Sequence, residues 1–172
     1  MAYAVVRTDN MFGTDVRAGL RSIMYMGEDG KTETAIENGN VLKVGALMDG
    51  EREIFAGAIP AADDELKDIV LIASPEVMYD ERKRNLDDFI NVEGKPCRGY
   101  CLHKGDIFSV TAEALDVTVS GKEAPEVGNI VELQAGTKLK VVASATSGST
   151  QVGKVIDINV VGRYTYYAIL VG

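Results

Sequence analysis

Between Gly94 and Leu115 the chain reads GKPCRGYCLHKGDIFSVTAEAL, and this stretch holds both cysteines, Cys97 and Cys101, and the single histidine, His103. The C-x3-C-x-H spacing supplies three ligands, the number a catalytic zinc uses when its fourth position stays open. It also sets a thiol beside an imidazole, the raw material of nucleophilic catalysis. If the stretch is a strand, all three side chains share a face, but at about 3.3 Å per residue the two cysteines stand roughly 13 Å apart. One zinc with bonds near about 2.3 Å cannot span that. A disulfide, which needs Cα atoms within about 7 Å, cannot either. Only a turn or helix would bring the sulfurs together; Pro96 and Gly99 weaken a helix and permit a turn. Cys101 and His103 lie two residues apart, whereas catalytic pairs usually come together from distant parts of the sequence with a third residue orienting the base. Two buried apolar thiols are therefore expected, with zinc, a disulfide and a nucleophilic pair as alternatives.

Other candidates for chemistry carry less. Lys104-Gly105-Asp106 reads as a turn in which glycine supplies a positive φ. The paired acids Asp63/Asp64 and Asp87/Asp88 suggest calcium or acid–base work, but no D-x-[DN]-x-[DN]-G loop frames them. TSGSTQVG (146–153) lacks the Lys-Ser/Thr ending of a phosphate-cradling loop. No catalytic residue, metal or cofactor is expected, and the chain reads as a non-enzyme.

Composition sets the limits within which elements must position these groups. The 172 residues suit one domain, or one with an arm, and 46% hydrophobic with 26% charged residues is ordinary for a packed protein. The net charge is −8 and the pI about 4.7, which opposes binding to nucleic acid or to an anionic membrane. Residues 61–93 carry −6 of that charge, whereas residues 1–26 are net +1. Two cysteines without partner geometry suit a reducing compartment. MAYAVVRTDN lacks the charged start and apolar run of a signal peptide, and no apolar run reaches the roughly 18 residues that would cross a bilayer. A cytoplasmic site of synthesis and assembly is the expectation.

Short β-branched or aromatic runs bounded by Gly, Pro or Asp predict strands at 40–47, 52–58, 68–73, 106–110, 116–120, 129–133, 137–143, 154–161 and 163–171. Alternation is clearest in the last two, with Val155, Asp157, Asn159 and Val161 on one face and Ile156, Ile158 and Val160 on the other. Gly162 between them predicts a hairpin. GNIVEL (128–133) and GKVIDI (153–158) share a glycine entry that turn chemistry explains as well as a repeat does. AADDELKD (61–68) suits one short helix; DERKRNLDDFI (80–90) suits a helix or an ordered loop. The fold class is mainly β: a compact barrel or sandwich over 40–172, an extended N-terminal arm over 1–39, and at most one or two short helices. The arm reads either as a ragged tail or as a segment that orders on a partner.

The run PEVMYDERKRNLDDFINVEGKPCRGYCLHKGDIFSVTAEAL (75–115), with the later TKLKV and GKVIDI strands, resembles the capsid decoration (cement) proteins of tailed bacteriophages. The likeness is one of style and segment order over about residues 40–172. It implies a β-rich structural virion protein on the outer surface of a phage head, often a homotrimer, that bridges major capsid subunits. Contact with the major capsid protein is then expected from the arm, through Phe12, Arg17, Arg21, Met24 and Tyr25. Three other functions remain open: another phage structural role such as a tail component, a ligand- or carbohydrate-binding β module using Tyr164, Tyr166 and Tyr167, and a small hydrolase built on Cys101 and His103.

Overall fold

A computed structural model describes residues 3–7 and 19–172. Its described residues are mainly β and form two sheets. The first closes into a barrel from β1 (Leu20–Tyr25), β2 (Val41–Leu47), β3 (Ile54–Ala58), β4 (Ile69–Ile72) and β5 (Cys97–Cys101), in the order β1-β3-β2-β4-β5. The second holds β6 (Ile107–Val110), β7 (Leu115–Val117), β8 (Ile130–Glu132), β9 (Leu139–Val142), β10 (Gln151–Val161) and β11 (Tyr164–Val171), in the order β6-β11-β10-β8-β9-β7. Pairing is antiparallel except for β1 with β3 and β7 with β9.

The run IVLI in β4 is buried at every position. Successive side chains of a strand point to opposite faces, so a continuous apolar run requires cover on both sides. Val70 and Ile72 join Ile23, Tyr25, Ile36, Leu42 and Cys97 in one core, which fills the barrel. Ile69 and Leu71 join Val41, Tyr100 and Leu102 in a second core against Phe108, Val110, Leu133, Val141, Val155 and Ile169 of the second sheet. Two glycines make the small barrel possible. A Cβ on Gly57 would lie 2.8 Å from Leu42, and one on Gly99 would lie 2.8 Å from Val70.

Helical structure among the described residues is confined to single 3-10 turns. The segment 61–68 keeps only Leu66–Asp68, and 80–90 keeps only Leu86–Asp88. The C-terminal hairpin closes with Val161 opposite Tyr164 and Gly162 at φ 61°. The register slips by one residue between Val155 and Asp157. Val155 therefore packs in the core opposite Ile169, while Ile158 and Val160 stand opposite Tyr167 and Thr165. The uninterrupted alternation expected over 154–161 is thus broken by a bulge, which inserts one residue and resets the faces.

The boundary expected at residue 39 does not separate an arm from the β body in the described residues. Residues 3–7 run along β6: Arg7 N–H donates to Ser109 O at 3.0 Å and Thr111 N–H to Val5 O at 3.0 Å. β1 then closes the barrel between β3 and β5. The physical reason is Ile23, whose apolar side chain is fully buried there.

Because β4 feeds both cores, the two sheets should unfold together. Leu71→Ala opens the inter-sheet core and Ile72→Ala the barrel, each at a cost of about 2–5 kcal/mol. Urea unfolding should show one cooperative transition shifted in both variants; two transitions, each moved by a different variant, would refute the coupling.

Candidate functional site

β5 carries the cysteines and settles their geometry. It pairs antiparallel with β1 and β4 on its two sides, so it is extended throughout. Cys97 is buried in the barrel and its thiol donates to Ile23 O at 3.2 Å. Burial pushes that thiol up to about 12, which keeps it protonated and unreactive. Cys101 is half-buried at the edge of the same core, and both thiols are free. His103 lies beyond the strand end in an exposed turn, with its Nδ1 3.5 Å from Asp106 Oδ2. That carboxylate also accepts the His103 backbone N–H at 2.8 Å, and Gly105 adopts φ 92°. The three residues that spacing placed on one face are therefore split between the barrel interior and a surface turn.

The paired acids serve local structure. Asp64 accepts from Lys43 Nζ and, at 2.7 Å, from the Ala61 N–H. Asp88 accepts the Asn85 N–H at 3.1 Å as part of a capping box. Among the described residues no group of three or more His, Cys, Asp or Glu could hold a metal. Tyr166 and Tyr167, expected as part of an aromatic binding platform, are buried, and Arg7 covers the Tyr166 ring at 5.3 Å. Tyr164 donates to Asp87 Oδ1 at 2.6 Å.

Of the five residues expected to contact a partner, three fall among the described residues. Phe12 and Arg17 lie outside the described residues. Arg21 is exposed, with its guanidinium 5.5 Å over the Phe55 ring. Met24 and Tyr25 are buried within the fold, Tyr25 inside the barrel, so neither is available as an anchor. The expectation took their apolar character as a need for a partner; the fold covers them instead, with β1 flanked by β3 and β5 and Tyr25 packed with Ile36, Leu42 and Val70.

A different surface emerges from residues 74–92, which run over the barrel with no strand and one helical turn. Buried amides pin this segment at both ends. Asn38 Nδ2 donates to Ser74 O at 2.8 Å, and its Oδ1 accepts the Ser74 N–H at 3.0 Å. Asn91 Nδ2 donates to Asn38 Oδ1 and to Ile36 O, each at 3.0 Å. Near the far end Asp87 takes hydrogen bonds from Arg163 and Tyr164 at the hairpin tip, while Tyr3 N–H donates to Asp87 O at 3.1 Å.

Between these pins the side chains alternate, and Val77 and Tyr79 point outward at 60% and 96% exposure. With Met78, Phe89, Val92 and Pro96 they line a groove of about 380 Å³ rimmed by Asp80, Lys83, Asp88 and Lys95. An apolar centre inside a charged rim is the anatomy of a protein-binding patch. The sequence reading missed it because the segment falls within residues 61–93, whose net charge of −6 drew attention away from its apolar side chains. Val77 and Tyr79, two large side chains at strand spacing within that charge, were the available signal.

Two measurements check this geometry. In the folded protein Cys97 should resist a thiol reagent that reaches both cysteines after unfolding; rapid modification of both in the native state would sink the barrel placement. For Asp87, burial acts to raise the carboxyl pKa, but hydrogen bonds from Tyr164 and Arg163 outweigh it and hold it below the ordinary carboxylate range. A folded pKa below the unfolded value of about 3.9 gives stability that is complete above that pH and is lost as pH falls through the folded value. The stability gap between wild type and Asp87→Asn should therefore shrink as pH drops below about 4; a gap unchanged down to pH 2 would contradict an ionised latch.

No known protein family, no curated protein and no solved structure matches this chain.

Proposed function

We propose that this chain is a structural virion protein that binds the outer surface of a tailed-phage head and stabilises the shell by bridging major capsid subunits. The observation that carries the reading is the apolar groove around Val77 and Tyr79, which lies at the start of the 75–115 stretch on which the phage resemblance rests. Its chemistry is that of a surface that docks another protein. In this role the chain acts without catalysis or cofactor, as a homo-oligomer for which a trimer fits local three-fold positions on a shell. Its acidic charge disfavours nucleic acid and anionic membrane as partners.

The mechanism is linkage. A protein that binds the assembled shell better than free subunits stabilises the shell by RT ln(1 + [L]/Kd) per site. Such a contact needs about 1,200–2,000 Å² of buried surface, so the groove is the centre of a larger footprint that includes its charged rim. Exposed Arg21 is a candidate for that footprint, as are Phe12 and Arg17.

Purified protein mixed with undecorated heads should bind at a symmetric, saturating stoichiometry. Tyr79→Ala removes a fully exposed side chain at no expected expense to the fold and should weaken binding about 10-fold or more, as a truncated aromatic hot spot does. Absence of binding by the wild type would sink the proposal; undiminished binding by Tyr79→Ala would remove the groove from it.

A further inference from the structure

Among the described residues one long edge is left open. β10 pairs with β8 only over Gln151–Lys154, and the neighbouring chain leaves at Val155, which bonds to Gly128 and Asn129. Beyond that point, among the described residues, β11 is the only strand paired with residues 156–161. Val161 and Tyr164 close a two-residue hairpin and so exchange hydrogen bonds. Alternation makes Asn159–Tyr166 and Asp157–Ala168 the next bonded pairs, which turns the N–H and C=O of Ile158 and Val160 toward the open edge. Ile156, Ile158 and Val160 are all exposed there, Val160 at 67%.

The other edges are managed. The barrel has none, the β6 edge is covered by residues 5–7, and the β7 edge is three residues long. An apolar edge with unpaired backbone groups is a template for another strand. We infer that the edge at residues 156–161 pairs antiparallel with the same edge of a second copy of this chain, about a two-fold axis at Ile158.

Register and charge select that occupant. With the axis at Ile158, each Ile158 faces its copy, Ile156 faces Val160, and Asp157 faces Asn159. The apolar residues meet one another and no like charges are opposed. Moving the axis to Asp157 sets two carboxylates face to face, which cross-strand pairing disfavours. The edge is thus complementary to itself, as an isologous interface must be. Six residues a side is far short of the roughly 20–30 of a standard interface, so the association is weak and concentration-dependent. It is separate from any three-fold contact and does not rest on the phage reading; where trimers form, it joins one trimer to the next.

Sedimentation of the full chain over a range reaching millimolar concentration tests it. Wild-type mass should double as concentration rises, while Ile158→Lys, which opposes two ammonium groups on the axis, should stay at half that mass. In a Cys101→Ser background, oxidation should link copies of Ile158→Cys, because a hydrogen-bonded pair has Cα atoms about 5.5 Å apart. Val160→Cys should stay unlinked, since its copy is roughly 13 Å away. A wild-type mass independent of concentration, an Ile158→Lys variant that doubles like the wild type, or equal cross-linking at both positions would each overturn the inference.

Discussion

β4 is the element on which the rest depends. Its four apolar residues are completely excluded from solvent, and a strand reaches that state only when both faces are covered. One face demands a barrel closed around Val70 and Ile72; the other demands a sheet laid over Ile69 and Leu71. The two-layer architecture follows from this requirement. β2 and β5 flank β4 and share the double duty: Val41 and Tyr100 look to the second sheet, while Leu42 and Cys97 look into the barrel.

Once the cores are set, the irregular segments are held by polar groups rather than by apolar burial. Asn38 and Asn91 supply amide donors and acceptors that backbone pairing does not, and they fix both ends of the 74–92 segment. A buried polar group is costly unless satisfied, so each of these amides holds its loop in a narrow geometry. The Asp87 cluster adds a charged tie to the hairpin tip. The groove around Tyr79 exists because the chain is pinned on either side of it.

Much of the fold was legible in the residues. Short β-branched runs marked β2, β3, β4 and the C-terminal hairpin, and Gly162 marked its turn, because alternation and turn chemistry are local properties. The sequence placed the two thiols apart only on the condition that their stretch is a strand, and β5 meets that condition. β1 was harder to assign. Its sequence, LRSIMY, lacks clear alternation, and only the vacancy between β3 and β5 makes it a strand. The bulge near Ile156 was invisible for a similar reason, since it depends on the register against β11. Met24 and Tyr25 looked like surface anchors because sequence reports that a residue is apolar, but not what covers it.

The sequence alone determined that this chain is a β protein built of short apolar strands with an acidic charge balance, and that its thiols stand apart wherever their stretch is extended. These follow from side-chain period, charge and rise per residue, none of which needs a partner segment. Tertiary structure decided which strands close the barrel, where Met24 and Tyr25 are buried, how residues 74–92 expose Val77 and Tyr79, and which edge of β10 stays open. Each of those depends on contacts between residues far apart in the chain, and the pairing that forms them is set by packing the two cores together.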